Sequence, residues 1–246
     1  MWGLRYINQP QIGKYYSLKS RNYLRKMSKY ACAYCTITES EAPGSTFHID
    51  HFRPKTLFSD LTDECTNLRY SCPRCNLLKS KLWITLDQGC IRRCQECHTK
   101  RCHENIYRFI DSLHEDPRQH LFLNDRDEIE AVEGSKPGVY TIKYLRLNRT
   151  QLIKLRKVRR FLELWELELK QKKNSALGQL DEILQKKILF ETKTQSLNSV
   201  SKDDELVKIL FSMLELQARH MIDIYDYELN NVETLKISHM GADDII

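Results

Sequence analysis

The chain has 246 residues, 41% of them hydrophobic and 29% charged, with a formal net charge of +6. That length accommodates one large domain or two small ones with a real core, and no segment approaches the roughly 18 consecutive apolar residues of a membrane-spanning helix. The N-terminal basic residues are not followed by an apolar core segment, so the expectation is a cytoplasmic protein without a secretory signal. In that compartment nine cysteines stay reduced, and pairs at CxxC spacing read as metal ligands rather than disulfides.

In chain order, three regions stand out. Residues 1–30 form a basic N-terminal segment with a helix expected over Ser17–Lys29. Residues 31–119 are a Cys/His-rich module, and residues 120–246 read as mostly helical. In the last region Val132–Gly138 reads as a turn and Tyr140–Leu145 as a short strand or the start of a helix. Leu152, Leu155, Leu162, Trp165 and Leu169 trace a helical apolar stripe with Thr150 as its N-cap. Further helices are expected over Leu177–Phe190 and Asp203–Tyr227, with a loop at Glu191–Ser201 between them and frayed residues at Gly241–Ile246. No internal repeat and no low-complexity segment occurs.

Charge is distributed in blocks. Met1–Thr38 holds seven Lys/Arg and no acid, and Gly134–Leu162 holds nine and no acid; from Ser201 onward ten Asp/Glu face four Lys/Arg. Two acid-free basic blocks on either side of a metal-type module point to a polyanion partner, nucleic acid first. The bland alternative is a set of solvated helix faces.

Cys32-Ala-Tyr-Cys35 and Cys72-Pro-Arg-Cys75 are two CxxC pairs, and four thiolates on two such knuckles make the closed tetrahedral site that Zn²⁺ prefers. Between and beside them lie Phe47-His48-Ile49-Asp50-His51-Phe52-Arg53-Pro54-Lys55, Asn67-Leu68 and Asn76-Leu-Leu-Lys79. Phosphodiester hydrolysis needs a cation, a base and a group that orients the base. Asp50 is a hard oxygen ligand suited to Mg²⁺ or Mn²⁺, and His51 is a base with a pKa near working pH. Neighbouring strand residues point to opposite faces, so Asp50 and His51 can share a site only where the strand bends or ends. His48 could contact phosphate, assist the metal or simply pack. Lys55 and Lys79 are candidate phosphate ligands, as are Arg156 and Arg159 in the second basic block, and Asn67 could otherwise merely cap a turn.

The order CxxC, Asp-His, Asn, CxxC-Asn-xx-Lys resembles the HNH endonuclease family. The resemblance implies an α+β, mainly helical fold: a ββα-metal core with a four-cysteine zinc knuckle, followed by a helical C-terminal region. It implies His51 as general base, Asp50 as first ligand of a catalytic Mg²⁺ or Mn²⁺, and Asn67 as the residue that orients the base through its side chain or backbone carbonyl. Asn76 stands where the family often has a histidine ligand, an HNN variant whose amide oxygen suits Mg²⁺. Over about residues 30–165, including Leu147-Asn148-Arg149, the chain is similar to the PtuB-type HNH subunits of Septu antiphage systems. Those work with an ABC-type ATPase of the PtuA type, which implies such a partner here; this chain has no P-loop of its own.

A second cluster, Cys90, Cys94, Cys97 and Cys102 with His98 and His103 as alternates, could hold a second zinc or lie reduced in a basic loop. Cys65 is expected to be simply buried. The expected activity is metal-dependent cleavage of nucleic acid, DNA favoured. RNA cleavage and a non-catalytic zinc module that binds nucleic acid or a protein partner are the alternatives.

Overall fold

A computed structural model describes residues 13–83, 105–196 and 202–240. The chain divides into two compact units, one running to Val158 and the other Arg159–Ile237.

The first unit starts with α1, Leu18–Met27, as the basic N-terminal run predicts. Ser17 caps it by accepting from the Ser20 amide at 3.1 Å, and the backbone leaves the helix through left-handed Lys29 and Tyr30. Next comes a knuckle closed by the Ala31–Thr38 bridge. The Cys32 amide donates to Ile37 O at 2.8 Å, and the Ala33 amide to Tyr70 O at 2.8 Å, which fastens the knuckle to the sheet.

The sheet is a pair of four-residue antiparallel strands, β1 (His48–His51) and β2 (Leu68–Ser71), registered so that Asp50 opposes Arg69 and His51 opposes Leu68. Helix α2 (Pro73–Lys79) follows directly, with Cys72 as N-cap and proline at the first helical position, where its missing amide costs nothing. This ββα unit packs over a core in which Phe47, Phe52, Phe58, Leu68, Tyr70 and Trp83 are buried. Trp83 meets Phe52 and Phe58 edge-on at 5.2 and 5.9 Å.

A second hairpin, β3 (Leu121–Leu123) with β4 (Ile129–Ala131), leads into α3 (Lys136–Leu145). The Tyr140–Leu145 stretch is therefore helix. The turn expected at Val132–Gly138 is shorter than that span: Gly134 takes the left-handed φ of 77°, and Ser135 already caps the helix by accepting from the Gly138 amide. Gly138 itself is required by close approach, since a Cβ there would lie 2.3 Å from the carbonyl of His120. The helix stops at left-handed Arg146.

Two long helices follow, α4 (Thr150–Ser196) and α5 (Lys202–Met240). The separate helix expected over Leu177–Phe190 is part of continuous α4. The loop expected from Glu191 begins no earlier than residue 197, and α5 runs thirteen residues past Tyr227. No proline interrupts either helix, and Gly178, with open space around it, is tolerated for about 1 kcal/mol. In the second unit the two helices run antiparallel. Lys187 pairs with Glu215 at 3.0 Å, Phe190 meets Phe211 at 6.0 Å, and Lys173–Asp226 and Glu166–Lys236 pair further along. Leu162, Leu169, Ala176 and Leu180 on α4, and Ala218 and Val232 on α5, are its buried hydrophobic residues. Among the described residues no helix is long and apolar enough to cross a membrane.

Candidate active site and metal centre

The two knuckles bring Cys32, Cys35, Cys72 and Cys75 together. All four are buried, and their sulfurs lie within 4.8 Å of one another, a group that could hold a metal ion. Cys35 and Cys72 are 3.7 Å apart. A zinc–thiolate tetrahedron with arms of about 2.3 Å has an edge of about 3.8 Å, which the Cys35–Cys72 separation matches. The Cys75 amide donates to the Cys72 sulfur at 3.4 Å across the helix N-terminus. Hydrogen bonds from Cys32, Cys35 and Cys75 hold the Cys72 thiol well below the usual range, as a ligand thiolate requires. Arg149 reaches the same cluster, its guanidinium 3.4 Å from the Cys35 sulfur and 3.8 Å from that of Cys75.

Asp50 and His51 sit where β1 ends, and their side chains go to different partners. Asp50 is buried. Its Oδ2 accepts from the Tyr34 hydroxyl and lies 3.1 Å from the Lys79 ammonium. Both partners are on Oδ2; among the described residues none is bonded to Oδ1. Burial raises the Asp50 pKa, and Lys79 and Tyr34 pull against that rise. Lys79 has no exposed side-chain surface, and burial lowers its pKa in turn. Its ammonium also donates to the His51 carbonyl at 2.7 Å. One lysine thus ties both strand-end residues to α2, and a phosphate contact from it, as the sequence reading expects, requires this buried pair to open.

The His51 ring bonds through Nε2 to the Thr62 carbonyl at 2.9 Å. A carbonyl only accepts, so Nε2 carries the proton and Nδ1 keeps its lone pair in the neutral ring. Burial lowers the His51 pKa below its ordinary value, against the raising effects of Thr62 and Asp50. Tyr15 lies edge-on to the ring at 4.7 Å. It is tied to the same loop by its amide's bond to Asp63 and by the Lys55 ammonium, which donates to its hydroxyl at 3.2 Å. Lys55 is exposed.

Asn67 does not touch His51. Its Oδ1 accepts from the Arg53 amide at 2.7 Å, its Nδ2 donates to the Arg53 and Leu61 carbonyls at 3.0 and 3.2 Å, and its own carbonyl accepts from Phe52 at 2.8 Å. These bonds staple the two ends of the 53–61 loop to β2, one residue before the carbonyl that holds His51. Beneath it, buried Asp111 lies 2.6 Å from Arg69, 3.7 Å from Arg53 and 2.8 Å from His114. Burial pushes the Asp111 carboxyl up, and Arg69, the bond from His114 and Arg53 outweigh it and hold the group well below the carboxylate range.

Asn76 is half-buried on α2. It stands one turn before Lys79 and so on the same helix face as the lysine that touches Asp50. His48 is exposed at the start of β1. Cys65 is buried, which raises its thiol pKa. Arg156 donates to the Asp127 carbonyl at 2.7 Å and to the Leu147 carbonyl at 3.1 Å, and also reaches the Asn148 amide oxygen, so its guanidinium is engaged within the fold. Arg159 is half-buried at the start of the second unit. Cys90, Cys94, Cys97, Cys102, His98 and His103 lie outside the described residues.

Three contributors escape the motif: Tyr34, the Thr62 carbonyl and Arg149. The first stands inside a CxxC knuckle and the third closes Leu147-Asn148-Arg149, so both were visible as residues, without their partners. Asn148 holds that turn by bonding both backbone groups of Ile129, at 2.7 and 2.8 Å, and Leu147 is buried beneath it.

Residues 32–82 match the family model described as HNH endonuclease. The chain is 30% identical over 164 residues to the Septu protein PtuB of Bacillus mycoides (strain KBAB4), an overlap of 61% of this chain and 54% of that protein. It thus spans about half the length of the curated relative it matches. No solved structure matches it. The ββα unit with its four cysteines is the part of this mainly helical chain that matches the HNH endonuclease model.

Proposed function

We propose that this chain is a metal-dependent endonuclease that hydrolyses phosphodiesters, with DNA as its substrate, and that it is the nuclease effector of a Septu-like antiphage system in the cytoplasm. The observation that carries the reading is the end of β1. There Asp50 presents Oδ1 beside a clamped Oδ2, and His51 keeps Nδ1 free opposite a fixed Nε2–H.

Asp50 Oδ1 and the Asn76 amide oxygen are hard donors, which fits Mg²⁺ or Mn²⁺. Such a cation supplies Lewis-acid stabilisation of the charge that develops on the phosphate and the leaving oxygen. The chain does the rest. His51 takes the proton of the attacking water at Nδ1, while Thr62 O fixes the ring and meets the charge that forms on it. Asn67 sets the loop that carries Thr62. Lys79 holds Asp50 and the His51 backbone in register, and exposed Lys55 meets the substrate phosphate. The four-cysteine cluster holds structural Zn²⁺, which fixes the knuckle and α2 under the sheet.

The ATPase partner fits the surface of the second unit. Its hairpin exposes apolar side chains on α5, among them Leu206, Leu210, Met213, Leu216 and Tyr227, each more than half exposed. Rows of that kind mark protein interfaces.

Cleavage of plasmid DNA and of tRNA with Mg²⁺ or Mn²⁺, by the chain alone and with the neighbour-encoded ATPase, tests the reading. The expected result is plasmid cutting that Asp50→Ala abolishes while binding persists. Cutting of tRNA alone would refute the DNA assignment, and salt-sensitive binding without cutting of either would make the domain a non-catalytic module.

A further inference from the structure

We infer that Tyr34 is a positioning residue for Asp50, through which the Cys32–Cys35 knuckle sets the affinity of the reaction's divalent cation. The inference rests on the endonuclease reading and goes beyond it, because it joins two sites that the reading treats as separate, one structural and one chemical.

Tyr34 lies between two of the clustered cysteines, with the knuckle backbone fixed on both sides. The Thr36 amide donates to Cys32 O at 2.9 Å, and the Ala33 amide to Tyr70 O at 2.8 Å. Its ring is buried, and its hydroxyl donates to Asp50 Oδ2 sixteen residues away. A buried carboxylate strands its charge unless donors meet it. Asp50 has two such partners, and they come from different elements: Lys79 from α2 and Tyr34 from the knuckle. Lys79 meets this oxygen as a buried point charge that it shares with the His51 carbonyl. The phenol is rigid, with its direction set by a ring packed in the core, so it fixes which carboxylate oxygen turns inward and which turns out to the cation. Ligating carboxylates are commonly oriented by hydrogen bonds of this kind, and their loss costs about 10- to 100-fold in metal affinity.

The test is Mn²⁺ binding to the zinc-loaded full chain, followed by electron paramagnetic resonance, beside zinc content and cleavage. Tyr34→Phe removes one oxygen from a packed ring. The expected result is one zinc retained at the four cysteines, a Mn²⁺ dissociation constant raised about 10- to 100-fold, and cleavage that recovers as Mn²⁺ is raised. A wild-type Mn²⁺ constant in Tyr34→Phe overturns the inference, and so does loss of the zinc together with the Mn²⁺ site, which would make the residue a general support of the knuckle. Asp50→Ala separates the two levels. If Asp50→Ala still cleaves, the endonuclease reading of this site fails; if it is dead while Tyr34→Phe behaves as wild type, only the present inference fails. Should Tyr34→Phe alone not fold, Asp50→Asn is added to it. A hydroxyl that acts through the carboxylate predicts that the double variant folds, and a packing role predicts that it does not.

Discussion

In the proposed reaction His51 would serve as the base, and the group that prepares it is not a side chain. The Thr62 carbonyl fixes the proton on Nε2, and burial keeps the ring neutral at neutral pH. Because the folded pKa is lowered below the ordinary value of about 6.5, the active neutral form persists to lower pH than in a solvent-exposed histidine. The acid limb of kcat/KM is therefore expected to have its midpoint below about 6.5, with a plateau through neutrality. A midpoint at or above 7 in a pH–rate profile would contradict this. At this scale the candidate residues are legible in the sequence, since Asp50, His51 and the four cysteines belong to one spaced motif, and the fold gathers the four cysteines. Their supports are not. Nothing local tells a reader that Lys79 turns inward to Asp50 instead of outward to phosphate, that Asn67 staples Arg53 and Leu61 rather than His51, or that Arg156 bonds backbone carbonyls. Each depends on which surface the fold closes over a long side chain.

Among elements, the turn between α3 and α4 has the clearest consequence. Leu147 buries itself, Asn148 clasps Ile129, and Arg149 reaches the sulfurs of Cys35 and Cys75. Four thiolates around Zn²⁺ would leave two negative charges, which the guanidinium 3.4 Å from the Cys35 sulfur would offset. Arg149→Ala is expected to weaken zinc retention about 10- to 100-fold, read as the rate of metal transfer to a chromophoric chelator, while Arg149→Lys recovers part of it. Release at the wild-type rate from Arg149→Ala would show that the contact is idle. The sequence reading of the elements is good for α1, whose cap and apolar positions are local; the β1–β2 hairpin is expected only from the family resemblance, and the β3–β4 hairpin lies in a stretch that reads as mostly helical. It errs in the long helices. Polar stretches such as Gln171–Ser175 and Glu191–Ser196 look like connections, yet the antiparallel seam of α4 and α5 keeps them helical, because pairing along the hairpin outweighs weak local propensity.

At the level of the whole molecule, the proposed hydrolytic centre and the proposed partner surface belong to different units. The first unit, to Val158, holds the segment that matches the HNH model and the turn that reaches its cysteines; the second, Arg159–Ile237, is a two-helix hairpin with exposed apolar rows. The charge blocks mark basic and acidic stretches along the chain, but they do not mark the division at Val158 and Arg159, which depends on how the long helices pair. What unites the account is the claim that the end of β1 is a hydrolytic centre. Single-turnover cleavage of plasmid DNA with Mn²⁺ by wild type and by His51→Ala, matched for zinc content, tests it most directly. The account predicts a fall of about 10²- to 10⁴-fold in the variant with DNA binding retained, and equal cleavage by the two proteins would contradict it.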